Sequence, residues 1–180
     1  MKDSAIEQIL LHLYNCIDEG FSYRAKKGLF IDDLFPSGWK NFSKEEIKES
    51  INGLKKSKLI TKKKEYDGSV IVLLTEKGKL RALNIRFKLL NYKKEIWDKK
   101  WRMVAFDIPN THRKRRDAIR YRLRIAGFYE LQESIFIYPY DCESEIRDFI
   151  TLFKLEKYIR FALLDFIDGE DYLIKLFKLA

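Results

Sequence analysis

Cysteine is scarce. The chain holds only Cys16 and Cys142, far apart and in unlike surroundings. Two such residues cannot build a disulfide framework, and no cysteine–histidine pattern with zinc-ligand spacing accompanies them. Both are read as buried, reduced and structural, which fits a cytoplasmic location. Long apolar runs are lacking as well. None approaches the roughly 18 residues needed to span a bilayer. The first turns carry Asp3 and Glu7, so the start of the chain is not expected to be a secretory signal. There is no phosphate-cradling glycine loop, no nucleophile elbow, no internal repeat and no low-complexity tract.

What the chain has in excess is positive charge. Its 36 Lys and Arg outweigh 27 Asp and Glu, for a formal net charge of +9 and a pI near 9.4. That balance favours an acidic partner, nucleic acid first and an anionic membrane surface second. The excess is uneven: the first 95 residues hold 20 of the basic and 13 of the acidic side chains. The polar stretch "YKKEIWDKK" has no core pattern of its own and places a linker or boundary near residues 86–99. The reading is therefore a first domain over 1–88, a linker over 89–99 and a second domain over 100–180. Aromatic residues throughout imply that both parts fold.

In the first part, Ile6, Ile9, Leu10, Leu13 and Ile17 follow helical spacing, with Ser4 as a cap and Gly20 as a stop. His12 falls at the helix edge without a second metal ligand. "GLFIDDLFP" reads as a short helix stopped by Pro36. Ser43 and Glu46 form a capping box that opens the next helix, ending near Ser57. Ile47, Ile51 and Leu54 share one face of it. Lys48, Asn52 and Lys55 share another, with Lys44 a turn earlier. "LITKKKEYDGSVIVLLTEKG" reads as two strands around a Tyr-Asp-Gly-Ser turn. Thr75, Lys77 and Gly78 open a last helix.

Helix, helix, helix, two-stranded hairpin is the order of a winged helix-turn-helix, whose third helix enters the major groove while the hairpin touches the backbone. Asn52 is the residue suited to reading a base, because an amide pairs bidentately with adenine. Lys44, Lys48 and Lys55, with Lys62, Lys63 and Lys64 on the hairpin strand, would mostly meet phosphates. The expected ligand is double-stranded DNA.

In the second part, "RMVAFDI" is apolar enough for a strand covered on both faces, closed by Pro109. "THRKRRDAIRYRLRIAGF" is a helix with an inward stripe of Ile119, Leu123 and Ala126 and a stop at Gly127. "YELQESIFIYPY" supplies strand material broken near Gln132 to Ser134. A second helix follows, capped by Asp141, and then the strand "KYIRFALLDF". The order β-α-β-β-α-β is a ferredoxin-like domain, so the fold class is α+β. Trp101, Tyr138 and Tyr140 are core or dimer contacts, and His112 is a loop residue without a positioned partner. The apolar tail "DYLIKLFKLA" either covers the chain's own core or packs on a partner subunit.

The run "WRMVAFDIPNTHRKRRDAIRYRLRIAGFYELQESIFIYPYD" resembles the central domain of the PaaX-type transcriptional repressors. That domain is itself similar to the small Cas-two subunit of CRISPR adaptation. The matching features are "FDIP", the basic helix, the "GF" stop, "LQESIF" and "YPYD". "LTEKGKLRAL" resembles the winged helix of the same repressors. The resemblance implies a cytoplasmic regulator, by kind a repressor, that binds an inverted-repeat operator as a homodimer through the ferredoxin-like domain. The repressors carry a further C-terminal domain that this length does not accommodate, so sensing of a coenzyme A thioester is not carried over. A small-molecule effector is left open by the sequence, which has no feature that points to one. In the nuclease relatives an aspartate matching Asp107 is proposed to bind a divalent metal across a dimer. The alternative reading is accordingly a nuclease or CRISPR-adaptation-like component using Asp107 with magnesium or manganese. The simpler reading of Asp107 is structural, next to a helix N-terminus and within reach of Arg113, Arg115 or Arg116. The cluster Arg113, Lys114, Arg115, Arg116 and Arg120 is expected to form a second anionic contact surface or an intersubunit salt-bridge set. No cofactor is expected for the regulator, and no catalysis.

Overall fold

The computed structural model describes residues 5–18, 29–30, 42–64, 66, 70–92 and 95–179, with backbone alone at 16–18 and 29–30. The chain divides into two units, Met1–Ile85 and Arg86–Ala180. The expected cap at Ser4, the stops at Gly20 and Pro36, the Asp67-Gly68-Ser69 turn and the side chain of Cys16 lie outside the described residues.

The first unit contains α1 (Ala5–Asp18), β1 (Leu29–Phe30), α2 (Lys44–Lys56), β2 (Ile60–Lys64) and β3 (Val70–Leu74), and the greater part of α3 (Glu76–Leu90). Its strands form one antiparallel sheet in the order β1-β3-β2. The core is where the helical and strand periodicities meet. Ile9, Leu10, Leu13 and Tyr14 of α1 pack with Ile47, Ile51 and Leu54 of α2, Ile60 and Val72 of the sheet, and Ala82 and Ile85 of α3.

α2 starts as its sequence requires. The Ser43 hydroxyl accepts from the Glu46 N–H at 3.1 Å, and the Glu46 carboxylate accepts from the Ser43 N–H at 2.7 Å. These bonds hold the Glu46 carboxyl below its ordinary pKa, the backbone N–H of Ser43 contributing most. At the start of α3 the Thr75 hydroxyl donates to the carbonyls of Lys58 and Leu59 and accepts from the Gly78 N–H at 3.0 Å. Gly78 is needed for closeness: a Cβ there would stand 2.0 Å from the Leu59 carbonyl oxygen.

One expected element is corrected. "GLFIDDLFP" was assigned a short helix, yet Leu29 and Phe30 are a strand, registered against Val72 and Ile71. With β2 on one side, β3 still has a row of backbone donors and acceptors to satisfy on the other, and β1 supplies partners for part of it. A short apolar run carries too little periodicity to separate the two states.

The second unit contains β4 (Trp101–Phe106), a 3-10 turn (Asn110–His112), α4 (Arg113–Ile125), β5 (Tyr129–Gln132), β6 (Ile135–Tyr138), α5 (Glu143–Phe153), β7 (Ile159–Leu164) and α6 (Glu170–Phe177). The sheet is antiparallel throughout, in the order β5-β6-β4-β7. Each of its two β-α-β crossovers therefore skips one strand, which is the ferredoxin-like arrangement. α4 and α5 share a face of the sheet: Arg122 of α4 stacks 5.4 Å from the rings of Phe149 and Phe153 in α5, and Arg120 of α4 lies over Phe106 of β4. Burial of Arg122 pulls its guanidinium below its usual pKa.

The opposite face carries Trp101 and Ile137, and α6 covers it there. Leu173 joins these two in one buried cluster, with Ile174, Phe177 and Leu179 packed against it. The Trp101 indole N–H donates to Glu170 at 3.2 Å. The tail thus packs on its own chain. Trp101 and Tyr138 are core residues, Tyr138 donating to the Leu90 carbonyl at 2.6 Å, with its pKa driven up by burial. The stop of α4 is as the sequence reads, with Gly127 at φ +87°. The cap of α5 is corrected: the N-cap is Cys142, which is buried, while Asp141 sits one residue earlier and accepts the Glu143 N–H. α3 runs on through residues 86–90, into the stretch read as a linker or boundary. Its last turns are held by Arg86, which binds Asp148, Ser144 (2.8 Å) and Glu145 (3.0 Å) of α5.

Candidate nucleic-acid interface

The buried stripe of α2 decides what its outer face shows. With Ile47, Ile51 and Leu54 turned into the core, Lys44, Lys48, Asn52 and Lys55 are all exposed. Lys56, which the sequence reading passed over, joins Asn52 and Lys55 in lining an open cleft of about 390 Å³. The doublet Lys55-Lys56 in the helix's last turn was the signal available for it. From β2, Lys62 reaches back so that its Nζ lies 3.5 Å from the Asn52 Oδ1. Sequence put these residues ten apart on different elements; the packing of hairpin on helix brings them together. Lys63 and Lys64 continue along β2, exposed and registered against Ile71 and Val70.

The arginine-rich helix of the second unit is divided in its uses. Arg113 and Lys114 are exposed, and Arg113 lies 3.7 Å from Asp117. Arg116 donates to the Ile108 carbonyl at 3.3 Å, and Arg120 pairs with Glu133 at 3.1 Å. Arg115 is half-buried. Two members thus fasten α4 to neighbouring loops, and the outward charge rests chiefly on Arg113 and Lys114. His112 packs edge-on against the Tyr158 ring.

Asp107 stands exposed just past the end of β4, its N–H donating to the Tyr158 carbonyl. It lines a cleft of about 570 Å³ with Gln132, Glu133, Lys157, Tyr158 and Arg160. Among the described residues it forms no ion pair, so the expected arginine partners do not engage it. Nor do three or more His, Cys, Asp or Glu gather there or elsewhere among the described residues in a way that could hold a metal ion. One carboxylate beside Lys157 and Arg160, with Glu133 committed to Arg120, does not suit a hard dication, which seeks several oxygen ligands.

The second unit is defined by this ferredoxin-like sheet with an aspartate at the end of its first strand. Residues 94–172 match the family model of the PaaX protein central Cas2-like domain. The second unit is thus similar to the central domain of the PaaX-type family. A comparison with curated proteins finds no match to the chain. No helix among the described residues is long and apolar enough to cross a membrane.

Proposed function

We propose that the protein is a DNA-binding transcriptional regulator, a repressor by kind, whose first unit is a winged helix. The observation that carries this is the outward stripe Lys44, Lys48, Asn52 and Lys55 on α2, continued by Lys62, Lys63 and Lys64 on the strand beside it. A helix with an amide among lysines offers one group able to read a base and several able to hold phosphates. The sheet order β1-β3-β2, with α2 leading directly into the β2–β3 hairpin, supports the winged-helix reading, and the PaaX-type domain supports regulation. A single module of this size buries only about 600–1,000 Å² on DNA, so a long specific site calls for two copies. The reading therefore includes a homodimer, formed through the second unit, on an inverted-repeat operator. It requires neither metal nor cofactor, and it places the protein in the cytoplasm.

The test is selection of bound sequences from a randomised duplex pool by the full chain, followed by titration of the selected site at several salt concentrations. A conserved inverted repeat, bound by a dimer with affinity that falls steeply with salt, is expected. A monomer that binds all duplexes alike would overturn the specific-regulator reading.

A further inference from the structure

We infer that Asn52 and Lys62 act as one donor-only unit that reads guanine. This rests on the DNA-binding reading of the first unit and names the base it selects.

The carboxamide of Asn52 has two unlike ends, an oxygen that accepts and an NH2 that donates, and whichever end faces a base edge sets the base class. Shape alone does not distinguish the two ends. The Lys62 ammonium does, because it has donors and no acceptor. At 3.5 Å from the amide it faces Oδ1, since the reversed amide would set donor against donor. Both backbones are fixed by the core. Asn52 follows buried Ile51 and precedes buried Leu54, and Lys62 is registered opposite buried Val72.

The ammonium takes one lone pair of Oδ1 and its charge repels a base donor from the other, so the unit acts through its NH2 and NH3⁺ groups. Adenine offers N7 but also its N6 amino group, a donor that needs an open oxygen and meets positive charge instead. Cytosine offers only a donor, and thymine a single acceptor, O4, beside its methyl group. Guanine offers two acceptors, O6 and N7, side by side in the major groove. Lys62 is thus a positioning residue for Asn52 and contributes its own donors. Adenine, the natural partner of a lone asparagine, becomes the disfavoured base.

The experiment uses the full chain and a randomised duplex pool. The position read by Asn52 is located as the one whose preference disappears in Asn52→Ala. Wild type is expected to prefer guanine to adenine there by roughly tenfold. Lys62→Met, which frees the amide to rotate, is expected to shift the preference to adenine. Lys62→Arg, again donor-only, should keep guanine. Lys62→Glu should turn the amide oxygen outward and favour adenine or cytosine, whatever it costs in overall affinity. A wild-type preference for adenine, or a Lys62→Met protein with unchanged preference, would refute the inference and leave DNA reading intact. Duplex binding that is indifferent to Asn52→Ala would instead remove the reading on which it rests.

Discussion

Arg102 grips Asp98 with both arms of its guanidinium, at 2.6 and 2.7 Å, and uses the same group to bind the Pro139 and Lys100 carbonyls at 2.9 Å. The arginine is buried on β4 while the aspartate is 47% exposed. The pair fastens the entry of the second unit to the loop after β6. Hydrogen bonding from Arg102 holds the Asp98 carboxyl below its ordinary value of 3.8. A carboxyl depressed by folding stabilises above its unfolded pKa, and that stabilisation is lost as pH falls through the folded value. Unfolding by urea should therefore show a loss of stability below about pH 4, and Asp98→Asn should remove part of that slope. Arg102→Met should cost about 1–3 kcal/mol at neutral pH, because the buried Pro139 carbonyl loses this donor and Asp98 loses its partner, while the Lys100 carbonyl keeps the Trp97 indole N–H.

Two glycines should respond in opposite directions. Gly78→Ala must push a Cβ into the Leu59 carbonyl, and a loss of about 1–3 kcal/mol in the first unit is expected. Gly53 lies mid-helix in α2 with open space around it. Gly53→Ala should stabilise by about 0.5–1 kcal/mol. Thermal unfolding of the two variants checks both signs.

α6 keeps water from Trp101, which is 0% exposed. Leu173→Ala should destabilise by about 2–5 kcal/mol. Removing residues 171–180 should shift tryptophan emission to longer wavelength. An unshifted spectrum would show that the tail does not cover this ring.

Charge and base reading should separate cleanly on DNA. Lys63→Ala is expected to weaken binding to all duplexes and to lower the slope of log affinity against log salt by about 1. Asn52→Ala should cost about 1–3 kcal/mol at one base position and leave that slope unchanged. Anisotropy titrations at three salt concentrations measure both.

Magnesium or manganese should not induce cleavage of DNA or RNA by the purified chain. The cleft holds the Asp107 carboxylate and that of Glu133, which pairs with Arg120, beside Lys157 and Arg160, too few open ligands for a hard dication. Reproducible cleavage abolished by Asp107→Asn, with the fold intact, would replace the regulator by the nuclease reading.

By itself, the sequence determined the elements whose signals are local. The Ser43–Glu46 box, the apolar stripe of α2, the left-handed stop at Gly127 and the β-α-β-β-α-β order each follow from neighbours within a turn or from an uninterrupted period. Asp98 and Arg102 were also within local reach, four residues apart, but nothing local says that the arginine would be buried. Tertiary structure decided whatever depends on which surfaces meet. It made Leu29 and Phe30 a strand because β3 had an edge to satisfy, and it laid α6 over Trp101 because the sheet's second face needed a cover. It turned Arg116 and Arg120 to local carbonyl and carboxylate partners and left Asp107 without an ion pair among the described residues. It also set Lys62 against Asn52. A helix and a strand each specify their own outward faces, but only their packing fixes which side chains on those faces come within a hydrogen bond of one another.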